Sequence, residues 1–280
     1  MRNAIAVMNT KGGVGKSTIL LAIAETLAVF HGKRVLVIDS DAQSSISSML
    51  MATTQLYQLQ STNRTIVDFL IGAVLEQTIT DWRSFVVSGV SDVDDATGIH
   101  LFPSDVQLTL FEREVSRESL HGMLRSAIAA LLHDARHAFD VVLIDCPPGL
   151  SVLTESWLRE ADYHITPTKA DYISTCALEV FRRFKALDPH MGFAQNLGVV
   201  VNMFDPTSPQ DAAYLKWLQQ TADNHCFASV IPRMNLLQDA ARRQLETRSY
   251  SAKYPGEAGR AIKQLTAEVL ARLAAEEPSP

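Results

Sequence analysis

Ala4-Ile5-Ala6-Val7-Met8, then Asn9-Thr10, then Lys11-Gly12-Gly13-Val14-Gly15-Lys16-Ser17-Thr18, is the stretch that decides the fold. A short apolar run that ends in a glycine-rich turn reads as a buried strand. From Lys16 to about His31, the residues Ile19, Leu20, Ile23, Ala24, Leu27 and Ala28 recur at helical spacing. Gly32 follows as a C-cap. Val35-Leu36-Val37-Ile38 is a second buried strand. Strand, helix and strand within about thirty-five residues is the unit of a parallel sheet.

A glycine-rich turn between a strand and a helix is suited to phosphate. Gly12, Gly13 and Gly15 let backbone N–H groups point inward, and the N-terminus of the helix faces the same anion. Lys16 supplies positive charge to the β- and γ-phosphates, and the hydroxyl of Ser17 is placed for Mg²⁺, with Val14 and Thr18 completing the loop.

Outward from this unit the alternation continues. Strands are predicted at 99–102, 141–144, 163–166, 197–201 and 227–231. Helices are predicted at 105–137, with a break near Arg117, and at 151–160, 171–187, 209–223, 235–246 and 258–275. The pattern implies one α/β domain over residues 1–280, a doubly wound, mostly parallel sheet with helices on both faces. Residues 45–97 are the least regular part and read as a helical insertion, and 276–280 as a frayed tail.

Composition narrows the function. Lys and Arg number 25 against 31 Asp and Glu, a net charge of −6, which excludes a bulk-basic nucleic-acid binder. The charge is uneven: residues 181–280 carry 12 basic and 10 acidic side chains. Cys146, Cys176 and Cys226 are far apart and lack metal-ligand spacing, so reduced thiols in a cytosol are expected. No signal peptide opens the chain, and no apolar run approaches the ~20 residues of a membrane span.

The loop departs from the general spacing GxxxxGK[ST] by placing Lys11 where glycine is usual. This KGGVGK[ST] form resembles the deviant Walker A box of the ParA/MinD superfamily of P-loop NTPases. The resemblance implies that Lys11 reaches across a homodimer interface to the partner's ATP, coupling ATP binding to dimerisation. Asp39-Ser40-Asp41-Ala42-Gln43 resembles the superfamily's DxDPQ segment, with Ala42 in place of Pro. Alone, either acid reads as an N-cap for the next helix. By resemblance, Asp41 activates the attacking water and Asp39 supports the Mg²⁺ sphere. Asp140-Val-Val-Leu-Ile-Asp145-Cys146-Pro147-Pro148-Gly149 has the Walker B arrangement, in which Asp145 holds the Mg²⁺ water shell. Cys146 reads as a small buried residue. Two weaker segments complete the resemblance. Asn202-Met203-Phe204-Asp205 matches the strand end whose Asn hydrogen-bonds adenine. Val230-Ile231-Pro232-Arg233 matches the turn that packs against the base.

Within the superfamily, the last helix lacks the basic polar face of a membrane anchor. No paired-cysteine cluster pattern and no tyrosine-rich tail is present either. The partition and positioning branch remains, without the N-terminal helix-turn-helix that some relatives carry. The resemblance implies a slow ATPase, cytoplasmic and nucleoid-associated, that binds non-specific DNA as an ATP dimer and is stimulated by a ParB-like partner on its cargo. Arg233 falls where relatives place a DNA-contacting arginine. Arg242, Arg243, Arg248, Lys253, Arg260 and Lys263 follow it and are expected to form a basic face on phosphates. The sequence 205–208, Asp-Pro-Thr-Ser, lacks an arginine that many relatives have there. The alternative is a polar localisation or assembly ATPase that works through protein contacts with little DNA binding.

Overall fold

The computed structural model describes residues 2–78, 81–187 and 189–276. Seven strands form one sheet in the order β3-β4-β2-β5-β1-β6-β7. They are β1 (Ala4–Val7), β2 (Val35–Asp39), β3 (Val87–Ser88), β4 (Ile99–Phe102), β5 (Val141–Asp145), β6 (Tyr163–Thr168) and β7 (Gln195–Val201). All pairings are parallel except β3 with β4. The two-residue β3 caps one edge, and it is the strand that hydrophobic patterning missed inside the insertion.

Alternation along the strands builds two cores. Ile5, Val7, Val35 and Val37 face one side of the sheet, where α1 (Lys16–His31) and α12 (Gly256–Glu276) pack. Ala4, Ala6, Leu36 and Ile38 face the other, under α5 (Leu108–Val115), α6 (Glu118–Ala138) and α7 (Val152–Glu160). Strands buried on both faces explain why β1, β2 and β5 read as unbroken apolar runs. The expected doubly wound α/β architecture is present. The break between α5 and α6 falls at Ser116 and Arg117, where it was expected.

Three expectations need correction. The segment 227–231 is not a strand. Phe227 and Ile231 donate to Val199 and Val201 of β7, each at 2.9 Å, but the carboxylate of Glu268 takes the N–H groups of Ala228 and Ser229 between them, each at 3.0 Å. A side chain from α12 thus replaces the ladder. Helix α10 (Asn235–Ala240) stops six residues short of its predicted end. Beyond it, Asp92 takes the Gln244 N–H at 2.9 Å through its carboxylate and the Arg248 N–H at 2.8 Å through its carbonyl. The segment 45–97 holds α2 (Ser45–Leu50), α3 (Thr53–Ser61) and α4 (Ile66–Leu70), but it also contains β3. The predicted tail begins at Glu276, the last residue of α12, and 277–280 lie outside the described residues.

Candidate functional site: a nucleotide cleft at the strand ends

The loop after β1 opens at the carboxyl end of the sheet, beside β5 and β6. Asn9 anchors its entry: Nδ2 donates to the Pro167 carbonyl at 2.8 Å and Oδ1 accepts the Lys11 N–H at 2.8 Å. Gly13 (φ 71°) and Gly15 (φ 87°) take the left-handed backbone that forms the cradle. Helix α1 then begins with no side-chain cap and no acid in its first turn, so its free N–H groups face into the cradle. Lys16 is buried at the base of the loop.

Asn202, at the end of β7, closes the loop from the other side. Its Nδ2 donates to the Val14 carbonyl at 2.9 Å, and a Cβ at Gly15 would sit 2.2 Å from that nitrogen. Asn202 therefore braces the phosphate loop. Met203 follows at φ 56°, a left-handed residue that turns the chain toward Pro232. A cleft of about 520 Å³ runs from Gly13 and Thr18 past Asn202 and Met203 to Pro232 and Arg233. The sequence-predicted base residues and the phosphate loop thus line one cavity, of a size that suits a nucleotide.

The two lysines of the loop have different surroundings. Lys11 lies at the rim, where its Nζ contacts Asp171 at 3.2 and 3.3 Å and the Ser174 hydroxyl at 3.0 Å. Asp171 is partly buried, which opposes ionisation, but Ser174 and Lys11 hold its carboxyl below the usual range. Asp171 and Ser174 escaped the sequence reading. The available signal was an acid just past the carboxyl end of a parallel strand, β6.

The acids converge opposite the loop. Asp39 and Asp145 are register partners at the ends of β2 and β5. Burial pushes the Asp39 carboxyl up to about 7, against hydrogen bonds from the Ser47 hydroxyl (2.6 Å), the Ser47 N–H (2.9 Å) and the Asp41 N–H (3.1 Å). Both Asp39 oxygens are engaged, so Asp39 supports the turn that carries Asp41. Asp145 differs. It is 1 % exposed, and neither carboxylate oxygen has a well-formed hydrogen bond. Burial and the Asp39 charge push its carboxyl well up, and the Ser17 hydroxyl and the Lys16 ammonium offset this in part. A buried, unpartnered carboxylate beside a serine hydroxyl fits a divalent cation. Ser17 and Asp145 are the residues that fit Mg²⁺ directly, with Asp39 behind them. Cys146 is buried and its thiol is pushed far up by burial, which agrees with a packing role.

The basic residues separate into two groups. Arg233 is exposed on the cleft wall, and Arg242, Arg260 and Lys263 are exposed elsewhere. Lys263 Nζ lies 3.9 Å from the centroid of the half-exposed Phe30 ring. Arg243 is half-buried and donates to the carbonyls of Leu50 and Gln244. Lys253 is not available to DNA. Its Nζ is fully buried between Glu25 at 2.7 Å and Asp92 at 2.5 Å. Arg248 pairs with Asp92 at 2.9 Å and is also internal. Sequence order alone put these two on a basic face, whereas the fold uses them to neutralise buried acids.

Fold and cleft define the class: a P-loop ATPase with a second lysine at the rim of its phosphate loop. Residues 2–188 match the model of the AAA-domain family, and the chain belongs to that family, as a ParA-type ATPase of the ParA/MinD superfamily. It is 28% identical over 275 residues to the chromosome partitioning protein ParA of Caulobacter vibrioides, covering 96% of this chain and 94% of that protein. Its fold resembles a putative plasmid partition protein from Borrelia burgdorferi B31 bound to AMPPNP (TM-score 0.76, 20% identity, 99% of this chain and 100% of that one). It also resembles pNOB8 ParA bound to nonspecific DNA (TM-score 0.72, 20% identity, 99% and 100%). Among the described residues, no helix is long and apolar enough to cross a membrane.

Proposed function

We propose that the chain is a Mg-ATP-dependent dimerisation switch that holds non-specific DNA as an ATP homodimer and positions DNA or another large cargo over the nucleoid, in the cytoplasm. The observation that carries this reading is the division of labour between the two lysines. Lys16 is buried under the cradle, whereas Lys11 stands at the rim on a half-exposed ion pair with Asp171. A lysine at the rim supports a role on a nucleotide held by a second copy.

Gly12, Gly13, Val14, Gly15, Lys16, Ser17 and Thr18 bind the phosphates, and Met203 and Pro232 pack on the base next to Asn202. Ser17 and Asp145 would hold Mg²⁺, which would supply charge neutralisation at the bound phosphates. Asp41 orients the attacking water. Turnover is slow because positioning and charge neutralisation wait for a ParB-like partner on the cargo.

The experiment is ATP-dependent retention on non-specific DNA across a salt series. Retention should require ATP, fall steeply with salt, and be lost in Arg233→Glu while ATP-dependent dimerisation persists. One observation favours the second reading, a localisation ATPase that acts through protein contacts: Lys253 and Arg248 are internal, which thins the basic face. ATP-dependent dimers with no DNA retention at low salt would select that reading.

A further inference from the structure

The loop at residues 146–151, Cys-Pro-Pro-Gly-Leu-Ser, leaves β5 directly after Asp145 and leads into α7. Its entry is fixed in the sheet, where the Cys146 N–H donates to the Val7 carbonyl at 3.1 Å. Two prolines and Gly149 at φ 99° form its middle. Its exit is fixed by a side chain from another helix. The Ser151 hydroxyl donates to Glu112 Oε1 at 2.7 Å, and Ser151 Oγ accepts the Thr154 N–H at 3.2 Å as the N-cap of α7.

Glu112 sits on α5, where Leu108, Phe111 and Val115 are buried and hold the helix against the core. The carboxylate is half-buried, and among the described residues it has no ion pair with a Lys or Arg. Its carboxyl is raised by burial and by the charge of Asp41, against the hydrogen bond from Ser151. A half-buried acid placed without a counter-ion beside another acid costs energy. Such cost at one point beside an ATPase site points to function rather than to packing.

We infer that Glu112 is a positioning residue of the ATPase site, which clamps the exit of the 146–151 loop through Ser151 and so fixes that loop next to Asp145. The inference rests on the nucleotide site proposed above. It assigns Glu112 a role on the loop, not on bound nucleotide. Loss of the clamp frees the loop at one end while the phosphate cradle, held by Asn9 and Asn202, is unchanged. The effect falls on turnover, with little on substrate affinity.

The test uses the full chain with Mg-ATP and the variants Glu112→Ala, Glu112→Gln, Ser151→Ala, Ser151→Thr and the double alanine variant. Glu112→Ala and Ser151→Ala should each lower kcat about tenfold with KM within about twofold. The double variant should be no slower than Ser151→Ala, because both substitutions break the same contact and Ser151→Ala already includes loss of the α7 cap. Gln keeps an acceptor and Thr keeps a hydroxyl, so these two should stay within about threefold of the parent. In nucleotide-free protein, amide hydrogen exchange over residues 149–154 should quicken about tenfold in Glu112→Ala and stay near parental rates in Glu112→Gln. Unchanged exchange in Glu112→Ala overturns the clamp, and so does an additive loss of about a hundredfold in the double variant. A lowered melting temperature with parental kcat also overturns the inference, since Glu112 would then be structural only. A parent chain that hydrolyses no ATP would instead sink the nucleotide reading, and the hydrogen exchange would still decide whether Glu112 holds the loop.

Discussion

Lys253→Ala should unfold the protein readily rather than weaken its hold on DNA. Lys253 is enclosed by α1, by Asp92 and by its own short helix α11 (Tyr250–Lys253), with no exposed surface. Glu25 accepts from Lys253 at 2.7 Å, from Ser91 at 2.7 Å and from the Tyr254 hydroxyl at 2.6 Å. Asp92 accepts from Lys253 at 2.5 Å, from the Gln244 N–H at 2.9 Å and from Arg248 at 2.9 Å. Two buried carboxylates thus share two cations. Removing Lys253 leaves one negative charge uncompensated in the interior, a loss of about 3–5 kcal/mol. With an unfolding entropy of about 2.1 cal/mol/K per residue over the chain, the melting temperature should fall by about 5–8 °C. Urea denaturation of Lys253→Ala beside the exposed Arg260→Ala measures the difference. The Arg260 variant should change stability by under ~0.5 kcal/mol. Lys253→Met combined with Glu25→Gln should regain part of the loss, because Arg248 then suffices for Asp92. A loss below about 1 kcal/mol in Lys253→Ala would refute the argument that Lys253 is an internal counter-ion.

Three further outcomes follow from the geometry. Gly15→Ala puts a Cβ into a φ 87° position and against Asn202 Nδ2, so Mg-ATP affinity should fall at least about tenfold in calorimetry while the fold survives; unchanged affinity would mean the cradle tolerates the displacement. Asp171→Ala releases Lys11 from a part-exposed pair worth under ~1 kcal/mol, so ATP-driven dimerisation in sedimentation should shift to about three- to fivefold lower ATP, whereas Lys11→Ala should abolish it; an unmoved midpoint in Asp171→Ala would show that the pair does not compete with dimerisation. His164 is buried against Phe181 and its pKa is lowered to about 3 by desolvation and then by Lys185. The unfolded chain therefore binds the extra proton below about pH 6.5, and stability is lost as pH falls from there toward 3. Between pH 7.5 and 5.5 the loss from this residue is about 1 kcal/mol, and His164→Asn should remove most of it in urea titrations at the two pH values.

Much of the site was legible because its parts are contiguous in the chain. A strand, a glycine turn and a helix carry Lys11 to Thr18 on one local unit, and the periodicities that mark them are short-range. Asp39 and Asp145 stand out in the sequence because each ends an apolar strand, and Asp41 follows Asp39 by two residues. The residues that escaped are those whose role depends on a distant partner: Asp171 on Lys11, Glu112 on Ser151, and Glu268 on the amides of 228 and 229.

The order of residues alone settles six of the seven strands, the glycine-rich loop after β1 and the placement of acids at strand ends, because hydrophobic burial and backbone sterics act over a few residues at a time. It does not settle which charges face water. Lys253 and Arg260 look equivalent in the chain, seven residues apart and both basic, yet one is fully buried between two acids and the other is exposed. That division is made when α1, the Asp92 turn and the C-terminal segment close on one another. The Coulomb and desolvation energies of a buried charge depend on neighbours that are remote in sequence, and only the packed structure brings them together.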